Sequence, residues 1–203
     1  ATTHPLGGGT VYLAVVDAAG NAVSLIESNY RGFGSGIADP ATGIAYQNRG
    51  SYFSLDPAHA NVLEPGKRTL HTLMPGMLFR DGRPWVVAGS MGADAQPQIH
   101  AQLVSALVDG GVDVATGVGA PRWFVVPERH FAPPEVVRLE PRFRDGIAEE
   151  LRAMGHPVNE VAPFDSNLGH CHAIELVSGG PGAAEGTLAA ATDPRCEGLP
   201  ATY

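Results

Sequence analysis

Residues 10–17 (Thr-Val-Tyr-Leu-Ala-Val-Val-Asp) are rich in β-branched and aromatic side chains. The turn-forming Ala18-Ala19-Gly20-Asn21 separates them from a second such run over 22–28. This pattern predicts a β-hairpin. A glycine loop follows over 30–36, then a turn at Pro40-Ala41-Thr42-Gly43 and a short strand over 44–48 ahead of the polar Arg49-Gly50-Ser51. The chain is irregular from there to Arg68. Residues 77–80 and 85–89 flank an Asp81-Gly82 reversal, which predicts a second hairpin. Between Pro97 and Val108, Ile99, Leu103, Ala106 and Leu107 recur at helical spacing and end at Gly110-Gly111. Residues 145–154 repeat that logic with Ile147, Leu151 and Met154, stopped by Gly155. A last pair of strands is expected over 172–177 and 187–191, separated by a flexible linker, 178–186. Hairpins, then helices, then strands again give an α+β fold with antiparallel sheet covered by helices.

Composition narrows the function classes. The 203 residues, 44% of them hydrophobic, are enough for a real core, and 26 glycines with 17 prolines point to many turns between short elements. A net charge of −8 with scattered basic residues argues against a nucleic-acid partner, whose phosphates need clustered Lys and Arg. No apolar run approaches the roughly 20 residues of a membrane span, so no membrane segment is expected in this chain. Cys171 and Cys196 form neither a disulfide scaffold nor a zinc pattern and are expected to be reduced.

The candidate chemistry starts at Gly7-Gly8-Gly9-Thr10, where a hydroxyl follows three glycines at the start of the first strand. Glycine reaches backbone conformations closed to other residues, so the Gly9 carbonyl can be presented to the Thr10 hydroxyl for an N-to-O acyl shift. Breaking the Gly9–Thr10 bond would free an α-amine with an ordinary pKa of roughly 8, giving Thr10 both nucleophile and base. The competing reading is a glycine-rich turn feeding an ordinary strand.

Further motifs lie in order downstream: Gly32-Phe33-Gly34-Ser35-Gly36, Pro65-Gly66-Lys67-Arg68, Gly89-Ser90-Met91-Gly92-Ala93, Asp109-Gly110-Gly111, Ala120-Pro121-Arg122-Trp123 and Asp193-Pro194-Arg195. The series resembles the small, C-terminal subunit of the γ-glutamyltransferase family of N-terminal nucleophile hydrolases, collinear from Thr10 to Tyr203. That resemblance implies a four-layer αββα sandwich made by autocleavage of a precursor. Residues 1–9 would be the pre-cleavage segment, 10–203 the small catalytic subunit, and a larger N-terminal subunit from the same precursor its partner. It implies γ-glutamyl or related acyl transfer from a small-molecule donor to water or an amine. Thr10 matches the catalytic threonine, and Ser28 matches a hydroxyl residue that supports it. Gly92 and Ala93 match the paired glycines whose amides form the oxyanion hole; Ala93 departs from glycine but keeps its N–H. Thr2-Thr3-His4 copies the family's wording around the nucleophile but lies too far upstream.

The departures concern the donor. Tyr52 stands where the family has an aspartate for the donor's ammonium, His71-Thr72 where it has a serine pair for the carboxylate, and Tyr30 and Arg49 where it has an asparagine and a glutamine. With no acid at Tyr52, a plain dicarboxylic acyl group such as glutaryl is expected to bind better than an amino-acid donor, with His71 or Arg49 meeting the carboxylate. These changes resemble the γ-glutamyltransferase-like and cephalosporin-acylase-type members.

No metal or organic cofactor is required on this reading. His170-Cys171-His172 places two imidazoles on one strand face without a third ligand, and Gly32–Gly36 lacks the lysine and helix of a phosphate loop. Trp85 and Trp123 read as core or interface aromatics. A second reading stays open: an unprocessed or catalytically silent relative serving as a structural or ligand-binding chain.

Overall fold

The computed structural model describes residues 8–129, 132–177 and 186–202. The expected pre-cleavage segment through residue 7, and the linker over 178–185, lie outside the described residues. Strands β1 (Gly8–Val16) and β2 (Ala22–Arg31) form the predicted hairpin. Asp17 Oδ1 accepts from the amides of Ala19 and Asn21 to close its turn. The second hairpin is β3 (Gly76–Arg80) and β4 (Arg83–Met91), reversed through Asp81 and Gly82, both at positive φ. The predicted helices are α1 (Gln96–Val108) and, later in the chain, α3 (Ile147–Ala153). The last strands are β8 (His170–Val177) and β9 (Thr187–Thr192), an antiparallel pair.

Four strands make the central sheet in the order β3-β4-β8-β9. β4 is buried on both faces, Val86 and Val87 alike being inaccessible. One face of the sheet presents Val86, Ala88, Cys171 and Ala173 to Ile99, Leu103 and Leu107 of α1 and to Val114 and Val118 of a short helix, α2 (Val114–Gly119). The opposite face receives the β1–β2 hairpin. There the Tyr12 ring lies so close over Gly89 that a Cβ would stand 2.3 Å from it. Burial pushes the Tyr12 phenol up to about 12, partly offset by its hydrogen bond to Ser24. Hairpin, sheet and helices are thus three stacked layers. The hairpin's outer face, with Val11, Leu13, Val15, Val23 and Leu25, is exposed.

Two features depart from the sequence reading. No strand forms over 44–48; only an isolated bridge, Ala38 to Ala45, marks that segment, because its polar groups close a loop instead. A separate sheet was not foreseen: β5 (Trp123–Arg129) pairs with β6 (Ala132–Leu139), which runs parallel to β7 (Val158–Glu160). Pro127, Pro133 and Pro134 hide the first two from strand rules, since proline cannot donate to a ladder. Pro127 lies on the edge strand β5, and Pro133 and Pro134 lie before the part of β6 that pairs with β7, so the sheet tolerates them. This sheet and α3 share a small core of Val137, Leu139 and Ala148.

Two of the sequence motifs meet in a buried charge cluster. Arg195 donates to both oxygens of Glu140 (2.7 and 2.8 Å) and to Asp193 (3.0 Å), while Arg122 pairs with Asp193 (2.9 Å) and Arg142 with Glu140 (2.6 Å). Burial alone would raise the Asp193 carboxyl, but Arg122 and Arg195 outweigh it and hold it below the usual range. Arg122 also donates to the carbonyls of Leu168 and Gly169. Gly169 abuts the end of β4, where a Cβ would come within 2.6 Å of the Met91 carbonyl oxygen. The cluster therefore braces the backbone immediately before Gly92. Replacing one member of such a cluster leaves buried charge uncompensated, so Arg195→Met is expected to cost about 3–5 kcal/mol, read as a lowered denaturant midpoint of the full-length protein. A loss under about 1 kcal/mol would mean that the cluster is not what holds this region.

Candidate active site

Hairpin register sets Thr10 opposite Ser28, and their hydroxyl oxygens are 2.6 Å apart. The ladder is irregular between Gly8 and Thr10, so Gly9 sits in a local bulge at the expected scissile bond. Gly9 is also crowded: a Cβ there would be 2.9 Å from the Gly32 carbonyl oxygen. The glycine-rich loop after β2 thus packs against the residue that precedes the nucleophile. Gly34 is needed for similar reasons, its absent Cβ being 2.3 Å from the Tyr46 oxygen at a positive φ.

Ser28 Oγ has three neighbours. It accepts from the Tyr30 amide at 2.9 Å and from Arg49 Nη2 at 2.9 Å, and it meets Thr10 Oγ1. A serine hydroxyl offers two acceptor sites and one hydrogen. Both acceptor sites are taken by groups that can only donate, so the Ser28 hydrogen goes to Thr10. Thr10 Oγ1 is the acceptor, and its own hydrogen points elsewhere. The positive guanidinium thereby polarises a hydroxyl that donates to the candidate nucleophile, which favours negative charge on the Thr10 oxygen.

Local backbone positions these groups. Tyr30 adopts a left-handed conformation (φ 73°), which costs a non-glycine residue on the order of 1 kcal/mol. Its N–H meets Ser28 from that conformation. Arg49 opens a short 3-10 turn, Arg49–Tyr52. Asn48 ties this turn to the end of β2, accepting from Arg31 N–H and donating to the Arg31 and Gly34 carbonyls. Arg49 then reaches inward, stacks 4.9 Å from the Tyr30 ring, and donates from Nη1 to Thr72 Oγ1 at 3.1 Å. It is only 5% exposed, and its Nε is buried with no hydrogen-bond partner among the described residues.

Tyr52 packs against Tyr30, ring centroids 5.1 Å apart, and donates to Asp94 Oδ1 at 3.1 Å. Burial first, then its contacts with Tyr30 and Asp94, raise the phenol far above its usual value, so Tyr52 is uncharged as expected. Position 52 itself carries no acid, but Asp94, missed in the sequence, stands against Tyr52. Asp94 follows Gly92 and Ala93 in the turn after β4. That turn is closed by Ala95 N–H donating to the Gly92 carbonyl (3.0 Å), a bond that uses neither the Gly92 nor the Ala93 amide. Ala93 holds φ 47°, in the left-handed region that favours glycine.

A continuous chain of contacts therefore runs from Thr10 through Ser28, Arg49, Tyr30 and Tyr52 to Asp94, beside the candidate oxyanion turn. Thr72 joins it through Arg49. His71 does not: it is exposed, and its Nδ1 accepts from the Leu73 amide. Asn61 is a further positioning residue that sequence reasoning passed over. Its side chain bonds Tyr52 O and Thr69 Oγ1 and accepts from Leu70 N–H, drawing the 69–72 segment to the tyrosine. Asn48 and Asn61 carry no sequence signal beyond being loop asparagines. Asp94 could have been found by asking what adjoins the oxyanion turn. Among the described residues no group of three or more His, Cys, Asp or Glu is arranged to hold a metal.

The γ-glutamyltranspeptidase family model matches residues 1–203. An oxamate amidohydrolase proenzyme of Klebsiella pneumoniae is 43% identical over 100% of this chain and 38% of its own length. A glutathione hydrolase-like YwrD proenzyme of Bacillus subtilis is 41% identical over 98% of this chain and 36% of its own. The cephalosporin acylase structure from Bacillus halodurans superposes with a TM-score of 0.76 at 41% identity, covering 91% of this chain and 32% of that one. The chain spans little more than a third of the curated relatives it matches. The mixed sheets and helices are those expected of an N-terminal nucleophile hydrolase, the described residues forming three layers where a four-layer sandwich was expected. On the extent of these matches, the chain belongs to the γ-glutamyltranspeptidase family.

Proposed function

We propose that this chain is the C-terminal part of a precursor that cuts itself at Gly9–Thr10 and then acts as an N-terminal threonine amidohydrolase or acyltransferase on carboxylate-bearing amides of the γ-glutamyl or glutaryl type. The observation that carries the reading is the 2.6 Å contact of Thr10 with a Ser28 hydroxyl whose acceptor sites are both filled. In self-cleavage, Thr10 Oγ1 bonds to the Gly9 carbonyl carbon, the C–N bond breaks, and the Thr10 nitrogen takes the proton. Water then hydrolyses the ester and leaves Thr10 with a free amine. In turnover the amine accepts the hydroxyl proton as Oγ1 attacks the donor amide, and returns it to the leaving amine. The Gly92 and Ala93 amides face the oxyanion, each such donor being worth about 3 kcal/mol. Water or an amine resolves the acyl-enzyme.

Arg49 is buried and makes no ion pair with the carboxylates of the described residues, which favours a donor carboxylate in its vicinity. Asp94 is exposed and already accepts from Tyr52, so it offers a donor ammonium little by comparison. A plain dicarboxylic acyl group is accordingly favoured over its amino-acid analogue. The names of the relatives, an oxamate amidohydrolase and a glutathione hydrolase-like protein, support amide hydrolysis of a small carboxylated donor. The exposed apolar row on the outer face of the β1–β2 hairpin supports a partner there. The larger N-terminal part of the same precursor is the occupant proposed.

Intact mass spectrometry of the full-length precursor tests the reading. A fragment starting at residue 10 is expected from the wild type, slowly from Thr10→Ser, and not at all from Thr10→Ala; self-cleavage by Thr10→Ala would end the proposal. Gly9→Ala is expected to slow cleavage at least about tenfold, because its methyl must displace the Gly32 carbonyl. Ala93→Gly preserves the amide donor and relieves a strained φ, so hydrolysis by the processed enzyme should change less than about threefold. A drop of a hundredfold would show that the Ala93 methyl, and not its N–H, matters.

A further inference from the structure

The candidate oxyanion turn needs support from outside itself. Ala93 sits in the left-handed region, which a residue carrying a Cβ keeps only where its surroundings over-determine it. Within the turn, the Ala95 amide donates to the Gly92 carbonyl and the Gln96 amide to the Ala93 carbonyl. Those bonds shape the turn without aiming it at Thr10. At its far end Gln96, 1% exposed, accepts from the Met74 amide at 3.2 Å. At its centre Asp94 accepts from the Tyr52 hydroxyl at 3.1 Å.

Tyr52 joins that centre to the nucleophile. Its ring packs on Tyr30, Tyr30 is buried beneath the Arg49 guanidinium, and Arg49 donates to the Ser28 hydroxyl that meets Thr10. Its backbone is held as well, the Tyr52 carbonyl accepting from the Asn61 side chain at 2.7 Å. Burial first, then Tyr30 and Asp94, keep the phenol far above its usual range, so it remains a hydrogen-bond donor. A donor facing an ionised acceptor makes one of the stronger and more directional bonds available to a side chain. Thr10 on β1 and the turn after β4 are thus linked through the Tyr52 side chain, across a gap that no backbone ladder between Tyr52 and Asp94 spans among the described residues.

We infer that Tyr52 and Asp94 are a positioning pair for the reaction: their hydrogen bond sets the Gly92 and Ala93 amides against Thr10, and it is the turn, not the donor, that Tyr52 acts on. This rests on the proposed reading, in which Thr10 is the nucleophile and those amides face the oxyanion.

A double-mutant cycle on the processed, full-length protein tests the pair, with glutaryl- and γ-glutamyl-p-nitroanilide as probes and intact mass spectrometry locating the N-terminus of each variant. Tyr52→Phe keeps the ring packing and removes only the hydroxyl; Asp94→Ala removes the acceptor. Oxyanion donors act on the transition state, so kcat is expected to fall about ten- to hundredfold in either variant while KM stays within about threefold. The double variant should lie within about twofold of the worse single one, because the same bond is lost only once. Asp94→Asn keeps an oxygen acceptor and should recover most of the loss. A raised KM at steady kcat, losses that multiply in the double variant, or Asp94→Asn as poor as Asp94→Ala overturns the inference. If Tyr52→Phe does not process, Asp94→Ala against Asp94→Asn decides; if Asp94→Ala does not process either, a residue-10 terminus restored by Asp94→Asn supports the pair and its absence overturns it. Any of these failures in a wild type that carries the residue-10 terminus and turns over an anilide sinks this inference alone. A wild type without that terminus, or inert toward both anilides, sinks the reading beneath it and this inference too.

Discussion

A single oxygen atom, Ser28 Oγ, constrains the site more than any other. Three groups from three stretches of chain converge on it: Thr10 from β1, the Tyr30 amide from the end of β2, and Arg49 from a turn some twenty residues on. Because two of them can only donate, the direction of the third bond is forced. Any disturbance that removes one donor frees a lone pair and lets the Ser28–Thr10 bond reverse. The nucleophile's polarity is therefore a property of the whole arrangement: the left-handed backbone at Tyr30 and the Asn48 side chain that holds the Arg49 turn are as much part of it as the hydroxyls.

The rest of the fold serves to keep this point still relative to the oxyanion turn. The hairpin is pressed onto β4 where Tyr12 covers Gly89, and only a residue without a Cβ allows that approach. From the other side, Arg122 and Arg195 knit the start of β5, the end of β6 at Glu140, the approach to β8 and the C-terminal segment around Asp193. The Arg122 bonds to the Leu168 and Gly169 carbonyls bring that rigidity to the residue against Met91. Buried ion pairs are poor contributors to net stability compared with apolar packing. Their value here lies in direction, since the bidentate Arg195–Glu140 pair and the Arg122 bonds to two backbone carbonyls fix geometry in a way that methyl groups cannot.

Much of this was legible in the sequence, for identifiable reasons. Both hairpins announced themselves through β-branched and aromatic runs around turn residues, α1 and α3 through helical spacing, and Thr10, Ser28, Gly92 and Ala93 were reached by collinear motifs. The β5–β6–β7 sheet was not legible, because its prolines violate the rule that locates strands and its stability comes from packing with α3. The expected strand over 44–48 failed because its apolar residues point outward: Ile44 and Tyr46 are exposed, and the segment's hydrogen bonds go into a loop. His71 and Thr72 are neighbours in sequence and read as a pair, yet only Thr72 joins the site. Asp94 was missed because its partner, Tyr52, lies 42 residues away, and no local pattern encodes that meeting.

On the proposed reading, the same threonine has two lives with different chemistry available to each. Before cleavage its nitrogen is an amide, useless as a base, so the first attack relies on the electrostatic bias supplied through Ser28 and on the bulged backbone at Gly9. Afterwards the amine is free and takes over proton transfer, while the Ser28 bond goes on holding the oxygen in line. A neutral glutamine in place of Arg49 would weaken the first step more than the second, since only the second has another means of assisting the hydroxyl. The arginine thus has a reason to persist that is separate from whatever donor the mature enzyme takes.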